Sequence, residues 1–248
     1  MKKSERKIKE RDHIQTHVFY FLCLRLSNTD KFMFDRFLVQ NMIKHKPKHI
    51  GIIPDGNRRW ASGQGMKKQD GYEHGLLPGL KLLKTAKENG IEELTYYGFT
   101  MDNCKRPPEQ FLAFQKACVA AVELLTQEGA DLLVIGNSNS KCFPKELLPY
   151  TKRTPIHGGG IRVNFLVNYG WQWDLSHMQE DGQPYSKDIS RIDLIIRWGG
   201  MRRLSGFLPL QSVYADFYVE EHLWPDYTDE DFLNALAWYE KQDVTLGG

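Results

Sequence analysis

The chain has 248 residues, 41% of them hydrophobic, enough for one sizeable core, and its length favours a single domain with an appendage. Its formal charge of +2 hides an asymmetry: residues 1–47 carry 11 Lys/Arg against 5 Asp/Glu, leaving 22 against 26 for the remainder. The basic character thus belongs to the N-terminal extension, and no aromatic stripe interleaves it as nucleic-acid binding would require.

Within that extension, the apolar run Val18–Leu24 is interrupted by Arg25 and is too short to span a bilayer, which takes about 20 residues. It is followed by no small-residue cleavage site, which argues against a signal peptide. Phe34, Phe37, Leu38 and Met42 recur at spacings of three and four, the pattern of an amphipathic helix. Such a basic helix suits a peripheral membrane contact, or packing on the domain or a partner subunit. The expected division is a basic helical extension over 1–47 and a catalytic domain over 48–248.

From His49 onward, short apolar runs alternate with helical patterns, which predicts an α/β domain on a central, mainly parallel sheet flanked by helices. Strands are predicted over 49–53, 94–99, 131–136, 161–168 and 192–197. A helix is predicted over about 77–89. A second begins at Pro107-Pro108, runs through Phe111, Phe114, Cys118 and Leu124, and stops before Gly129. The last begins after Thr228, three residues before Asp231, as a capping box with Asp in place of Glu. The run Asp229-Glu230-Asp231 is therefore read as helix capping before metal binding.

Polar clusters follow the predicted strands directly: Asp55-Gly56-Asn57-Arg58-Arg59, Thr100-Met101-Asp102-Asn103, Asn168-Tyr169-Gly170 and Arg197-Trp198-Gly199-Gly200. All four would gather at the carboxyl edge of the sheet, where open α/β sheets bind ligands. Their Arg, amide, hydroxyl and Gly content suits a phosphate group, with Arg106, Arg202 and Arg203 nearby in sequence. The chain has no GxxxxGK[ST], no GxSxG and no HExxH. Gly158-Gly159-Gly160 precedes a strand and is read as a loop. Asp55 among phosphate ligands suits Mg²⁺ held against a diphosphate, with Asp216 as a candidate second acid. Cys23, Cys104, Cys118 and Cys142 show neither CxxC nor zinc spacing, which fits a reducing cytoplasm.

The segments "HIGIIPDGNRRWA", "LTYYGFTMDNCKRP", "VNYG" and "DLIIRWGGMRRLSGFLPLQSVYADFY", with "LWPD" after them, resemble the motifs of the cis-prenyltransferases, the undecaprenyl diphosphate synthase family. The resemblance runs in order from about residue 48 to the end. It implies a homodimeric, Mg²⁺-dependent enzyme in which an allylic diphosphate loses its diphosphate as a second isoprenoid diphosphate attacks. It assigns Asp55 to metal and diphosphates, and Gly56, Asn57, Arg58, Arg59 and Trp60 to the allylic substrate. Lys68 stands where the family usually has Arg. Arg197, Arg203 and Ser205 match the site of the second diphosphate, Asp216 the second metal ligand, and Thr100, Asn103 and Arg106 the motif that aids condensation and proton removal.

Departures cluster at the same sites. Asp70-Gly71-Tyr72 replaces the usual "FGH", which puts Tyr72 at the substrate. Cys104 replaces Trp, and Arg197-Trp198-Gly199-Gly200-Met201 replaces "RTGGE". The segment between Tyr169 and Asp193 is short for the family. These changes are similar to the cyclolavandulyl diphosphate synthase branch, which implies a short-chain or irregular, head-to-middle product. The alternatives are an ordinary chain-elongating enzyme, a terpene cyclase using Trp198, Tyr72, Phe99 and Trp171, and a non-catalytic dimer subunit. Trp198 is read either as a ring beside the second diphosphate or as core filling.

Overall fold

His49–Ile53 (β1) is buried at every position. This is the pattern of a central strand covered on both faces, and it explains the uninterrupted apolar run. Gly51 is needed here because a Cβ at this position would lie 2.5 Å from the ring of Phe207. The computed structural model describes residues 46–176 and 182–243. The expected 1–47 extension, with the apolar face Phe34–Met42 and Cys23, falls outside the described residues except at its last two positions.

Among the described residues the sheet has seven strands: β1, Glu93–Thr100 (β2), Ala130–Ile135 (β3), Thr154–Ile156 (β4), Arg162–Tyr169 (β5), Leu194–Arg197 (β6) and Asp216–Val219 (β7). Their order is β4-β3-β5-β2-β1-β6-β7. Every pairing is parallel except β3 with β4. The mainly parallel α/β class read from the sequence is the class observed. β4 and β7 were not predicted. Both are edge strands of three and four residues, and β4 contains Pro155, so neither carries a long buried run.

Helices cover the sheet: Asn57–Gly63 (α1), Gly71–His74 (α2), Leu76–Glu88 (α3), Pro108–Gln127 (α4), Trp171–Ser176 (α5) and Asp229–Tyr239 (α6). Pro108 opens α4, where a missing N–H costs no hydrogen bond. Thr228 caps α6: its hydroxyl accepts from the Asp231 N–H, and the Asp231 carboxylate accepts from the Thr228 N–H. The capping reading of that acidic run therefore holds. No helix among the described residues is long and apolar enough to cross a membrane.

The amino edge of the sheet is tied by buried polar groups that the hydrophobic pattern does not reveal. His49 Nε2 meets Thr95 Oγ1 at 2.8 Å, and Asn164 Nδ2 donates to that hydroxyl and to Glu93. Ser190 Oγ donates to Glu93 at 2.7 Å, and Arg162 pairs with the same carboxylate. β1, β2 and β5 thus share one network whose members are each satisfied, as burial of polar groups requires. The polar clusters that follow β1, β2, β5 and β6 lie at the opposite, carboxyl edge.

Candidate active site

β1 is flanked by β2 on one side and β6 on the other, so the chain departs from β1 in two directions and a crevice opens between the carboxyl ends of β1 and β6. The register sets Ile53 beside Arg197. Asp55 and Arg197 therefore leave adjacent strand ends. Arg197 Nη2 donates to Asp55 Oδ2 at 2.7 Å, and Arg59 Nη2 lies 3.5 Å from Oδ1. Arg197 is 4% exposed, and its Nη1 donates to the Arg203 carbonyl and, at 3.0 Å, to Ser205 Oγ. Its buried Nε has no hydrogen-bond partner among the described residues.

Ser205 occupies the left-handed region at φ 53, and Tyr97 donates to its carbonyl at 2.9 Å. Because the Ser205 hydroxyl oxygen already accepts from Arg197, its proton is directed to another acceptor. Arg203 is exposed beside it. Guanidinium, hydroxyl and a second guanidinium thus line one face of the crevice, a donor set matched to a phosphate.

The other face is the start of α1. Gly56 is its N-cap at φ 114, where a Cβ would meet Leu223, and no side chain caps this end. The amides of the first turn and the partial positive charge of a helix start favour an anion here. Asn57 turns inward: Nδ2 donates to the Pro54 carbonyl at 3.2 Å, while its buried Oδ1 has no partner among the described residues. Arg58 and Arg59 stay accessible, with Arg58 reaching Gln110 on α4 at 3.4 Å. Trp60 Nε1 donates to Asp226 at 2.7 Å, which pins α1 to the segment before α6. Lys68 is exposed on the turn between α1 and α2.

A third wall comes from β2 and α4. Thr100 and Asn103 form a reciprocal capping box around a 3-10 turn, Met101–Lys105. Arg106 donates to the Tyr72 hydroxyl at 2.9 Å and lies 5.2 Å over the Phe114 ring. Tyr72 and Phe114 stack at 4.5 Å, and Phe99 meets Phe114 edge-on at 5.1 Å. Burial raises the pKa of Tyr72, opposed by the Arg106 charge, and burial lowers that of Arg106. Cys104 donates to Asn168 on β5 at 3.2 Å, and burial pushes its thiol up to about 12.

Two expectations need correcting, and one open alternative is decided. Within one chain Asp216 does not meet Asp55: β7 runs parallel to β6 with Asp216 beside Leu194, three residues before the Arg197 to Val219 pair, so it sits at the amino end of its strand. The Gly199 and Gly200 N–H groups are not offered to a ligand, because they donate to the His222 and Glu220 carbonyls at 2.8 and 3.0 Å. Trp198 is fully buried against Trp224, 4.9 Å away, and Tyr227, which makes it core filling. Trp171 is 40% exposed, and with Trp198 in the core the four aromatics proposed for cation stabilisation reduce to the Tyr72 and Phe99 wall.

The residues present fit a magnesium ion. Asp55 keeps a third of its side chain exposed, and Mg²⁺ is commonly held by one or two carboxylates together with substrate phosphates and water. Between the crevice and α4 lie two small cavities of about 60 and 70 Å³. Both are bordered by Pro54, Gly75, Leu76, Ala121, Phe165 and Trp224.

Guanidinium, hydroxyl and helix-start donors at the switch point of an open parallel sheet, with an apolar cavity beside them, suit a phosphorylated apolar ligand at the edge of an α/β sheet. The chain belongs to the prenyltransferase family described as undecaprenyl diphosphate synthase, whose model matches residues 53–247. It is 30% identical over 235 residues to a ditrans,polycis-undecaprenyl-diphosphate synthase ((2E,6E)-farnesyl-diphosphate specific) of Salmonella typhi, covering 84% of this chain and 93% of that one. The enzyme of the same name from Escherichia coli strain K12 is 30% identical over 239 residues, covering 85% and 94%. Among solved structures, lavandulyl diphosphate synthase from Lavandula x intermedia in complex with dimethylallyl diphosphate superposes with a TM-score of 0.69 at 22% identity. That match covers 82% of this chain and 99% of the other and establishes the shared fold. The chain is accordingly a transferase of the cis-prenyltransferase type.

Proposed function

We propose that this enzyme joins isoprenoid diphosphates in a Mg²⁺-dependent condensation that gives a short-chain or irregular, head-to-middle product. The observation that carries the reading is Arg197, buried between Asp55 and Ser205 opposite the start of α1. One diphosphate at α1 with Arg58 and Arg59, and another at Arg197, Arg203 and Ser205, would face each other across Asp55.

In the reaction, the allylic C–O bond breaks and its electron pair leaves with the diphosphate. The π electrons of the second substrate form the new C–C bond, and a proton is lost from that substrate. Arg59 and the α1 amides stabilise the charge on the departing diphosphate, and fixed donors of this kind are a large catalytic contribution. Arg197 and Ser205 orient the second diphosphate. The Asn103 side-chain Oδ1 accepts from the Thr100 N–H at 3.1 Å, which fixes that amide at the condensation site with Arg106 beside it. Asp55 would hold Mg²⁺, which when bound neutralises charge developing on diphosphate oxygens.

The two cavities support a short product. They fall far below the roughly 300–1,000 Å³ typical of sites for drug-sized ligands; Phe165 and Trp224 wall both, and Tyr96 walls the smaller. A five-carbon tail, as in the dimethylallyl diphosphate bound by the lavender structure, suits that space better than a long polyprenyl chain. Regular cis elongation is the second reading, favoured by the undecaprenyl synthases at 30% identity. A scaffold subunit without activity would have no need of a buried Arg197 with a phosphate-type donor set around it.

A homodimer is supported by the outer edge of β7 and the exposed Leu210, Val213 and Tyr214 just before it, an apolar sheet edge of the kind that a second copy covers. The free thiols Cys104, Cys118 and Cys142 suit a reducing cytoplasm.

The test is to incubate the purified chain and Mg²⁺ with dimethylallyl diphosphate alone, then with isopentenyl diphosphate, then with longer allylic diphosphates, identifying dephosphorylated products by mass spectrometry. A branched C10 product from dimethylallyl diphosphate alone establishes irregular coupling. Linear products that require isopentenyl diphosphate establish regular elongation, and an olefin or alcohol already present before dephosphorylation, formed from one substrate, establishes a cyclase.

A further inference from the structure

Behind the Gly199–Gly200 turn, three side chains from two segments converge. Glu220 and His222 follow β7 directly, and Asp231 lies in the first turn of α6. His222 Nδ1 is 3.0 Å from Asp231 Oδ1 and 3.4 Å from Glu220 Oε1. One potential ligand atom from each residue lies within 4.8 Å of the other two. The carboxylate side chains of Glu220 and Asp231 are only 12% and 7% exposed, whereas the imidazole is 61% exposed.

The charge here does not balance. Among the described residues no Lys or Arg pairs with Glu220 or Asp231, so two nearly buried carboxylates face one imidazole. Even a protonated ring would leave one negative charge uncompensated, and burying such a charge is costly.

The carboxylates are also pre-oriented. Asp231 Oδ2 accepts from the Thr228 N–H at 2.9 Å, which leaves Oδ1 turned to His222. Glu220 Oε1 accepts from the His222 N–H at 3.0 Å. Backbone donors behind ligating carboxylates are the arrangement that fixes metal ligands in place.

We propose that Glu220, His222 and Asp231 form a site for a divalent transition-metal ion, distinct from the magnesium that serves the diphosphates. One imidazole nitrogen with two carboxylates suits Zn²⁺ or its first-row neighbours, whereas Mg²⁺ prefers oxygen alone. The ion replaces the proton on Nδ1 and supplies the missing positive charge. It would clasp the exit of β7 to the start of α6. Since the His222 and Glu220 carbonyls accept the Gly199 and Gly200 N–H groups, the clasp stiffens the backing of the turn that follows Arg197. The inference needs no prenyltransferase activity and stands apart from it.

The full chain, stripped with a chelator, is titrated with CoCl₂ while the visible absorption of the ion is followed, and with ZnCl₂ in a calorimeter. One saturable site is expected, with Zn²⁺ raising the melting temperature. His222→Ala, on an exposed side chain, and Glu220→Gln should each weaken binding by at least about tenfold. His157→Asn, on a distant exposed loop, should leave it unchanged. The absence of saturable binding, or equal binding by wild type and His222→Ala, overturns the site and leaves the three residues as an ion-paired clasp only.

Discussion

Arg197 reaches Asp55 across the boundary between β6 and β1 with Nη2 2.7 Å from Oδ2, so the carboxylate that would hold the metal is also the counter-charge of a buried guanidinium. The two roles separate by experiment. Asp55→Ala should lower turnover by at least about two orders of magnitude, the scale of losing a transition-state electrostatic contact. It should also destabilise the fold by about 1–2 kcal/mol. That is less than the ~3–5 kcal/mol of breaking a wholly buried pair, because Asp55 is a third exposed and screened. Steady-state kinetics and urea unfolding of the same sample read both quantities, and near wild-type turnover would remove Asp55 from the mechanism.

Acid should weaken the protein through the network at the amino edge of the sheet. Burial lowers the His49 pKa, so its neutral form stabilises the fold above about pH 6.5, and this contribution is lost as pH falls through the folded value. For Glu93 burial works upward, but His49, Asn164, Ser190 and Arg162 together bring the pKa below the ordinary value of 4.5. Its contribution is present above that value and lost as pH falls further. Unfolding midpoints measured from pH 8 to pH 2 should therefore decline in two ranges. His49→Gln should flatten the upper one, and an unchanged slope in that variant would assign the loss to other groups.

Much of this was legible in the sequence. β1, β2, β3, β5 and β6 are central strands with long apolar runs, and the clusters at Asp55, Thr100 and Arg197 follow their ends by parallel topology alone. β7 was not legible, because four half-buried residues at an edge carry no pattern, and so Asp216 could not be placed at the amino end. The convergence of Glu220 and His222 with Asp231 depends on that same strand. Gly199 and Gly200 look like phosphate-binding glycines in sequence, yet their N–H groups are taken by the segment after β7.

Trp198 should matter to stability and not to selectivity. Trp198→Ala should cost about 3–5 kcal/mol, the range for removing a large buried aromatic. The milder Trp198→Phe keeps an aromatic contact with Trp224 and Tyr227 and should leave the product profile unchanged. Denaturant unfolding and product analysis of both variants check this, and an altered product from a fully stable Trp198→Phe enzyme would return Trp198 to the substrate site.

Phe165 borders both small cavities, is 6% exposed, and packs against Gly98, where a Cβ would lie 2.5 Å from its ring. The ring thus fills space that β2 leaves open and limits the room for an apolar tail. Tyr96 stands on the same wall, 6.0 Å from Phe165, with its hydroxyl fixed to the Gly79 carbonyl at 3.0 Å, so it does not swing aside to compensate. Phe165→Leu should cost about 1–2 kcal/mol of stability, as a modest core reduction does. It should also shift the products made from longer allylic diphosphates toward greater chain length, while the rate with dimethylallyl diphosphate changes little. Mass spectrometry of the dephosphorylated products reads the shift directly. If chain length stays constant in a folded Phe165→Leu enzyme, the cavity wall does not limit the product, and the limit lies in the reaction at the crevice.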